Sequence, residues 1–126
     1  MATEIREDGY ESIRQFVDSG RATPGSWQYI ELRDDTDSAV TRVDIDNDSR
    51  ASWIHAAGDQ TLVVEVEVQG SDSDIPTGTT FTASANYNTD TGGGGSELAW
   101  DSFPDATIET EDDTLVVTHE IEVPQV

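Results

Sequence analysis

At 126 residues the chain is sized for one domain with one core, and with no cysteine it can build neither a disulfide framework nor a zinc–thiolate centre. Twenty-seven acidic residues stand against 6 basic ones, all arginine, for a net charge of −21, which excludes a basic surface that could meet nucleic-acid phosphates. No apolar run approaches the ~20 residues of a membrane span, and no signal-peptide pattern opens the chain. The first element in chain order is a helix in REDGYESIRQFVDSG (6–20), where Tyr10, Ile13 and Phe16, with Val17, recur at helical spacing. Asp8 followed by Glu11 reads as a capping box, and Gly20 as the stop. The apolar stripe is expected to cover a sheet edge; its rival role is a docking face for another subunit. Residues 1–25 are thus read as a helix and linker packed on a β domain over 26–126.

After Pro24 the pattern changes period. Strands are predicted at 26–33 (SWQYIELR), 39–45 (AVTRVDI), 51–56 (ASWIHA), 60–69 (QTLVVEVEVQ) and 79–87 (TTFTASANY). In the fourth, Leu62, Val64, Val66 and Val68 share one face, opposite Glu65 and Glu67. In the fifth, Phe81, Ala83, Ala85 and Tyr87 are expected inward. A flexible loop with four glycines (92–95) follows, then short strands at ELAW (97–100) and ATIET (106–110). The last strand is TLVVTHEIEV (114–123), with Leu115, Val117, His119, Ile121 and Val123 inward. About eight short strands without βαβ alternation predict an all-β, two-sheet antiparallel sandwich, jelly-roll-like, with one short N-terminal helix.

The stretch DIDNDS (44–49) places Asp44, Asp46 and Asp48 at the first three ligand positions of an EF-hand loop. The required glycine is replaced by Ser49 and the closing glutamate by His55, and a strand follows instead of a helix. The expectation is a polar turn with no required cofactor, holding Mg²⁺, Ca²⁺ or Na⁺ only loosely. Asn47-Asp48-Ser49 is a glycosylation sequon, with the plain turn as the alternative. His55 and His119 lie in separate predicted strands and lack the spacing of a cupin metal site; each reads as a packed, hydrogen-bonded strand residue. There is no nucleophile elbow and no lysine for a Schiff base, and the glycine run lacks the Lys and Ser/Thr of a phosphate loop. The acidic EDDT segment (111–114) reads as a solvated loop. No enzyme is expected.

Self-repulsion at this charge suits either disorder or multimolar salt. Nine aromatic residues (three each of Trp, Tyr and Phe) and clean strand alternation argue against disorder. In multimolar salt the Debye length falls to about 3 Å and the repulsion is screened. The composition is that of a folded protein from an extreme halophile, or from something that lives with one.

The close of the chain has the form F-P…I…D-x-L-x-V…I-x-V, carried by Phe103, Pro104, Ile108, Asp113, Leu115, Val117, Ile121 and Val123. With the order of helix, aromatic strand and glycine-rich hairpin, it resembles small jelly-roll virion structural proteins of tailed viruses, including those of haloarchaea. The resemblance implies a non-enzymatic part of a particle, a capsid turret, decoration, head–tail or tail component, assembled in the host cytoplasm and resident in the virion. It implies a symmetric homo-oligomer, five-fold favoured, beside a major capsid or tail protein, with no nucleic-acid or membrane partner. Contacts between copies are expected through Tyr10, Ile13 and Phe16, and through Arg33 and Arg42 meeting the acidic second half of a neighbour. The alternative is a surface- or carbohydrate-binding sandwich of a halophile, with Trp27, Tyr87 or Trp100 as stacking platforms.

Overall fold

The computed structural model describes residues 27–55, 61–87, 90 and 97–122. The helix predicted over 6–20, with Tyr10, Ile13 and Phe16, lies outside these residues, as do the glycines at 92–95 and Val123. Seven strands are found: β1 (Tyr29–Asp34), β2 (Ala39–Asp44), β3 (Ala51–Trp53), β4 (Thr61–Gln69), β5 (Thr79–Tyr87), β6 (Ala99–Ile108) and β7 (Thr114–Glu122). They form two antiparallel sheets, one ordered β2-β1-β5-β6 and the other β3-β4-β7. No helix occurs among the described residues.

The alternation in β4 is realised. Leu62, Val64, Val66 and Val68 are all fully buried, while Glu67 on the opposite face is exposed. Burying such a side chain contributes about 1.5–3 kcal/mol, so this strand alone anchors much of the core. It is the middle strand of its sheet, bonded to β3 on one side and to β7 on the other. Facing it are Ile30 and Leu32 of β1, Val43 of β2 and Phe81 of β5, which join Val64, Val66, Val68 and Val117 in one cluster. The two sheets therefore share this core, and Leu62 near the start of β4 packs separately with Trp27, Trp53 and Ile121. Gly70, directly after β4, permits a close crossing of the β6–β7 turn: a Cβ there would collide with the Thr110 carbonyl oxygen. Its N–H donates to the Asp113 carbonyl at 2.9 Å. The Asp113 carboxylate in turn accepts from the N–H groups of Glu109 and Thr110 at 2.8 and 3.0 Å, fixing that turn.

Two expectations are corrected by the strand pairing. The short segments expected near 97–100 and 106–110 are parts of one ten-residue strand, β6, so seven described strands stand where about eight were expected. Pro104 obscures the continuity in the sequence. It is tolerated because β6 is an edge strand and because the pairing with β5 skips from Ser102 to Ala106 at this point.

The second correction concerns β5. Phe81, Ala83, Ala85 and Tyr87 are all buried, yet only Phe81 belongs to the shared core. Thr82 is an extra residue against β1, between the pairs Asp34–Phe81 and Arg33–Ala83. This bulge reverses the phase of the strand. Beyond it Ser84 pairs with Leu32 and Asn86 with Ile30, and these face the core. Ala83, Ala85 and Tyr87 pair with Arg33, Glu31 and Tyr29, on the outer face.

Candidate functional site

The phase reversal places a charged cluster on the outer face of the four-stranded sheet. Glu31 sits in the middle of β1, opposite Arg42 of β2, and two residues from Arg33 on the same face. Its Oε1 accepts from Arg33 Nε at 3.0 Å and its Oε2 from Arg42 Nε at 2.8 Å and Nη2 at 2.7 Å. Arg33 also donates to the Tyr87 hydroxyl at 2.6 Å and pairs with Glu97 and Asp37. The Arg42 guanidinium lies 3.4 Å from the centre of the Tyr87 ring, a cation–π stack. Burial opposes the charge on Arg33, but hydrogen bonds to Glu97 and Glu31 outweigh it and raise its pKa above the ordinary value. With only 3% of its side chain exposed, the central carboxylate of Glu31 is closed to a substrate, while Glu97 and Asp37 at the edge of the cluster are 43% and 57% exposed.

Arg33 and Arg42, expected at a contact between copies, therefore lie 7% and 9% exposed inside an intrachain network. Arg33 reaches Glu31 along β1 itself, two residues away, but cross-strand register brings Arg42 onto it, and register is not readable from either strand alone. A signal did exist: a glutamate in the middle of the otherwise apolar YIEL run needs a cationic partner if the strand is buried.

Arg50 forms a second ionic cluster at the other end of the chain's first half. Its guanidinium donates to Asp74 at 2.8 and 2.9 Å, to Asp48 at 2.8 Å and to Asp72 at 3.1 Å. Thr41 of β2 donates to the Asp74 Oδ2 at 2.6 Å. The Arg50 hydrogen bonds hold the carboxyls of Asp48 and Asp74 below the usual carboxylate range, against the effect of burial. The alternating acids of SDSD (71–74) were the available sign of this cluster.

The DIDNDS stretch is a turn built around one of its aspartates. Asp44 accepts from the backbone N–H of Asp46 and Asn47 at 3.0 and 3.3 Å, from the Asn47 amide at 2.8 Å and from Gln28 at 3.1 Å. Asp48 turns instead to Arg50, so Asp44 and Asp48 are committed to different partners. Among the described residues no group of three or more His, Asp and Glu is placed to hold a metal ion. Asn47 is exposed in the same turn.

His119 lies on β7 as a packed, hydrogen-bonded residue: its Nδ1 and the Ser84 hydroxyl are 2.6 Å apart across the two sheets. Both residues are 1% exposed, so this Ser–His pair is closed to substrates. Burial pushes the His119 pKa below its ordinary value, with Asp101 opposing. His55 follows β3, where its Nδ1 accepts from the Val63 N–H at 3.0 Å and its ring meets Trp53 edge-on. Asn86, two residues from Ser84 on the inward face, is fully buried with neither carboxamide atom hydrogen-bonded.

The three aromatic platforms expected for a binding module separate clearly. Trp27 packs against Leu62, and Tyr87 is buried beneath the arginines. Trp100, on the edge strand β6, is 49% exposed and donates its indole N–H to Asp37 at 3.1 Å. No protein-family model matches this chain, and neither a curated protein nor a solved structure shows significant similarity to it.

Proposed function

We propose that this chain is a non-enzymatic structural protein of a particle assembled in multimolar salt, of the kind used in the capsid or tail of a haloarchaeal tailed virus. In this reading it is a seven- to eight-stranded sandwich, related to the jelly-roll virion proteins its closing strands resemble, and it acts as a symmetric homo-oligomer. The observation that carries the proposal is the placement of charge. Among the described residues every arginine, Arg33, Arg42 and Arg50, points at carboxylates of its own chain, so positive charge there rivets the fold and leaves an excess of acids at the surface. Such a surface suits a component that must stay hydrated and separate in brine until it meets a specific neighbour. The buried Ser84–His119 pair joins the two sheets and needs no substrate to explain it.

The test is direct. Light scattering in multimolar KCl should give a closed oligomer, and mass spectrometry of purified particles should find the chain at stoichiometric copy number. A monomer at tens of micromolar that is absent from particles would overturn the proposal.

A second reading, a carbohydrate-binding module, is favoured by Trp100 alone. Its half-exposed ring, with its indole N–H on Asp37, has the mixed character of a sugar-stacking platform. Quenching or shift of tryptophan fluorescence by oligosaccharides, abolished in Trp100→Ala, would move the assignment to this reading.

A further inference from the structure

The two sheets leave two open sides, one where β2 and β3 are the edge strands and one where β6 and β7 are. The first is bridged by the Arg50–Asp74–Thr41 cluster. The second holds a cleft of about 230 Å³ whose walls are Phe103, Pro104 and Ala106 of β6 and Leu115, Val116 and Val117 of β7. Val116 is 52% exposed at its rim. The two strands that form it carry the exposed acids Asp101 and Asp105 on β6 and Glu120 and Glu122 on β7, and residues 97–122 contain no arginine or lysine. An apolar cleft between two such acidic strands calls for an occupant with an apolar stripe and a positive charge.

We propose that the chain's own residues 10–17 occupy this cleft, with Tyr10, Ile13 and Phe16 against its apolar walls and Arg14 toward the acids of β6 and β7. Three observations on this chain converge. The arginines outside the two ionic clusters, Arg6, Arg14 and Arg21, all belong to the first 26 residues. Those residues also carry the apolar stripe of Tyr10, Ile13 and Phe16. The geometry of attachment is right as well. Trp27 and Ile121 both pack against Leu62, so the N-terminal segment joins the fold beside the far end of β7. From Ile121 back to Val117 is four residues of strand, about 13 Å. The ten residues from Val17 to Trp27 can reach up to about 33–36 Å when extended, so the segment meets the cleft within one copy with slack to spare.

The chain has no cysteine, so Gln15→Cys gives a single site for a nitroxide label. In the full chain at multimolar KCl, the label should strongly broaden the amide signals of Ala106, Leu115 and Val117 and leave Val43 and Ser52 on the opposite side sharp. Adding Phe16→Asp should reduce that broadening several-fold while the signals of β4 stay in place. A mixture of spin-labelled chains with isotope-labelled, label-free chains should show no broadening. Broadening in the mixture would assign the cleft to a second copy and overturn the proposal. Sharp signals throughout β6 and β7 in the singly labelled chain would overturn it equally.

Discussion

The β2–β3 side and the β6–β7 side of this fold meet the same problem with opposite chemistry. On the first, a guanidinium draws together carboxylates from the turn before β3 and from the β4–β5 loop. On the second, apolar side chains line a cleft and the surrounding charges are all of one sign. The difference shows how a chain with six arginines distributes them. A side with an internal counterion tolerates its acids at any ionic strength, whereas a side without one depends on the solvent to screen them.

Salt gives the largest break in this comparison. Lowering KCl from multimolar to ~0.1 M lengthens the screening distance from about 3 to about 10 Å. The β circular-dichroism spectrum and the melting temperature should collapse over this range, and hydrogen exchange should accelerate in β6 before β2. Equal protection on both sides at every salt concentration would contradict the asymmetry.

Mutation sharpens it. Arg50→Gln leaves partly buried Asp48, Asp72 and Asp74 without their cation and should cost about 2–3 kcal/mol in denaturant unfolding. Leu115→Ala on the other side trims a half-buried residue and should cost about 1 kcal/mol. Gly70→Ala, where the end of β4 crosses the β6–β7 turn, should cost about 2–3 kcal/mol, because its Cβ would meet the backbone carbonyl of Thr110.

Acid separates the two sides by pH. Asp48 and Asp74 have depressed pKa values, so their contribution is present above the unfolded value of about 3.9 and is lost as pH falls through the folded values. That acid limb should shrink in Arg50→Gln. His119 acts at higher pH. Its folded pKa lies below 6.5, so below pH 6.5 the unfolded chain binds a proton that the native one does not, and stability falls until the folded pKa is passed. This limb should vanish in His119→Asn and persist in Arg50→Gln, as read from denaturation midpoints at constant salt.

The smallest effect is expected at the DIDNDS turn. Calorimetry in multimolar KCl should show no Ca²⁺ binding tighter than ~10⁻⁴ M, in the parent chain or in Asp46→Asn. Micromolar affinity lost in that variant would show that the three aspartates do converge on an ion.

What was legible in the sequence follows from which patterns are local. The period of two in Leu62–Val68 fixes both strand and face, and β4 obeys it. The turn role of Asp44 and the packed state of His119 were likewise readable from neighbouring residues. Thr82 carries no mark of a bulge, so the phase of β5 was assigned correctly only as far as Phe81. Pro104 split β6 in two because a proline ordinarily ends a strand, and only its edge position excuses it. The arginine clusters depend on which strands lie side by side, and no periodicity encodes that. The helix stripe at Tyr10, Ile13 and Phe16 lies beyond the described residues.

The proline in β6 also bears on how this chain avoids becoming a fibre. An edge strand is a template on which a foreign strand can polymerise, and brine strengthens the apolar contacts that drive such growth. A strand seeking to add to β6 must pass residue 104, which has no N–H to give and stands where the ladder with β5 already breaks. Glu120 and Glu122 bring like charges to the end of the other edge, β7. Replacing Pro104 with valine would restore a continuous hydrogen-bonding rim, and thioflavin-positive aggregates should then form in salt concentrations where the parent chain stays clear.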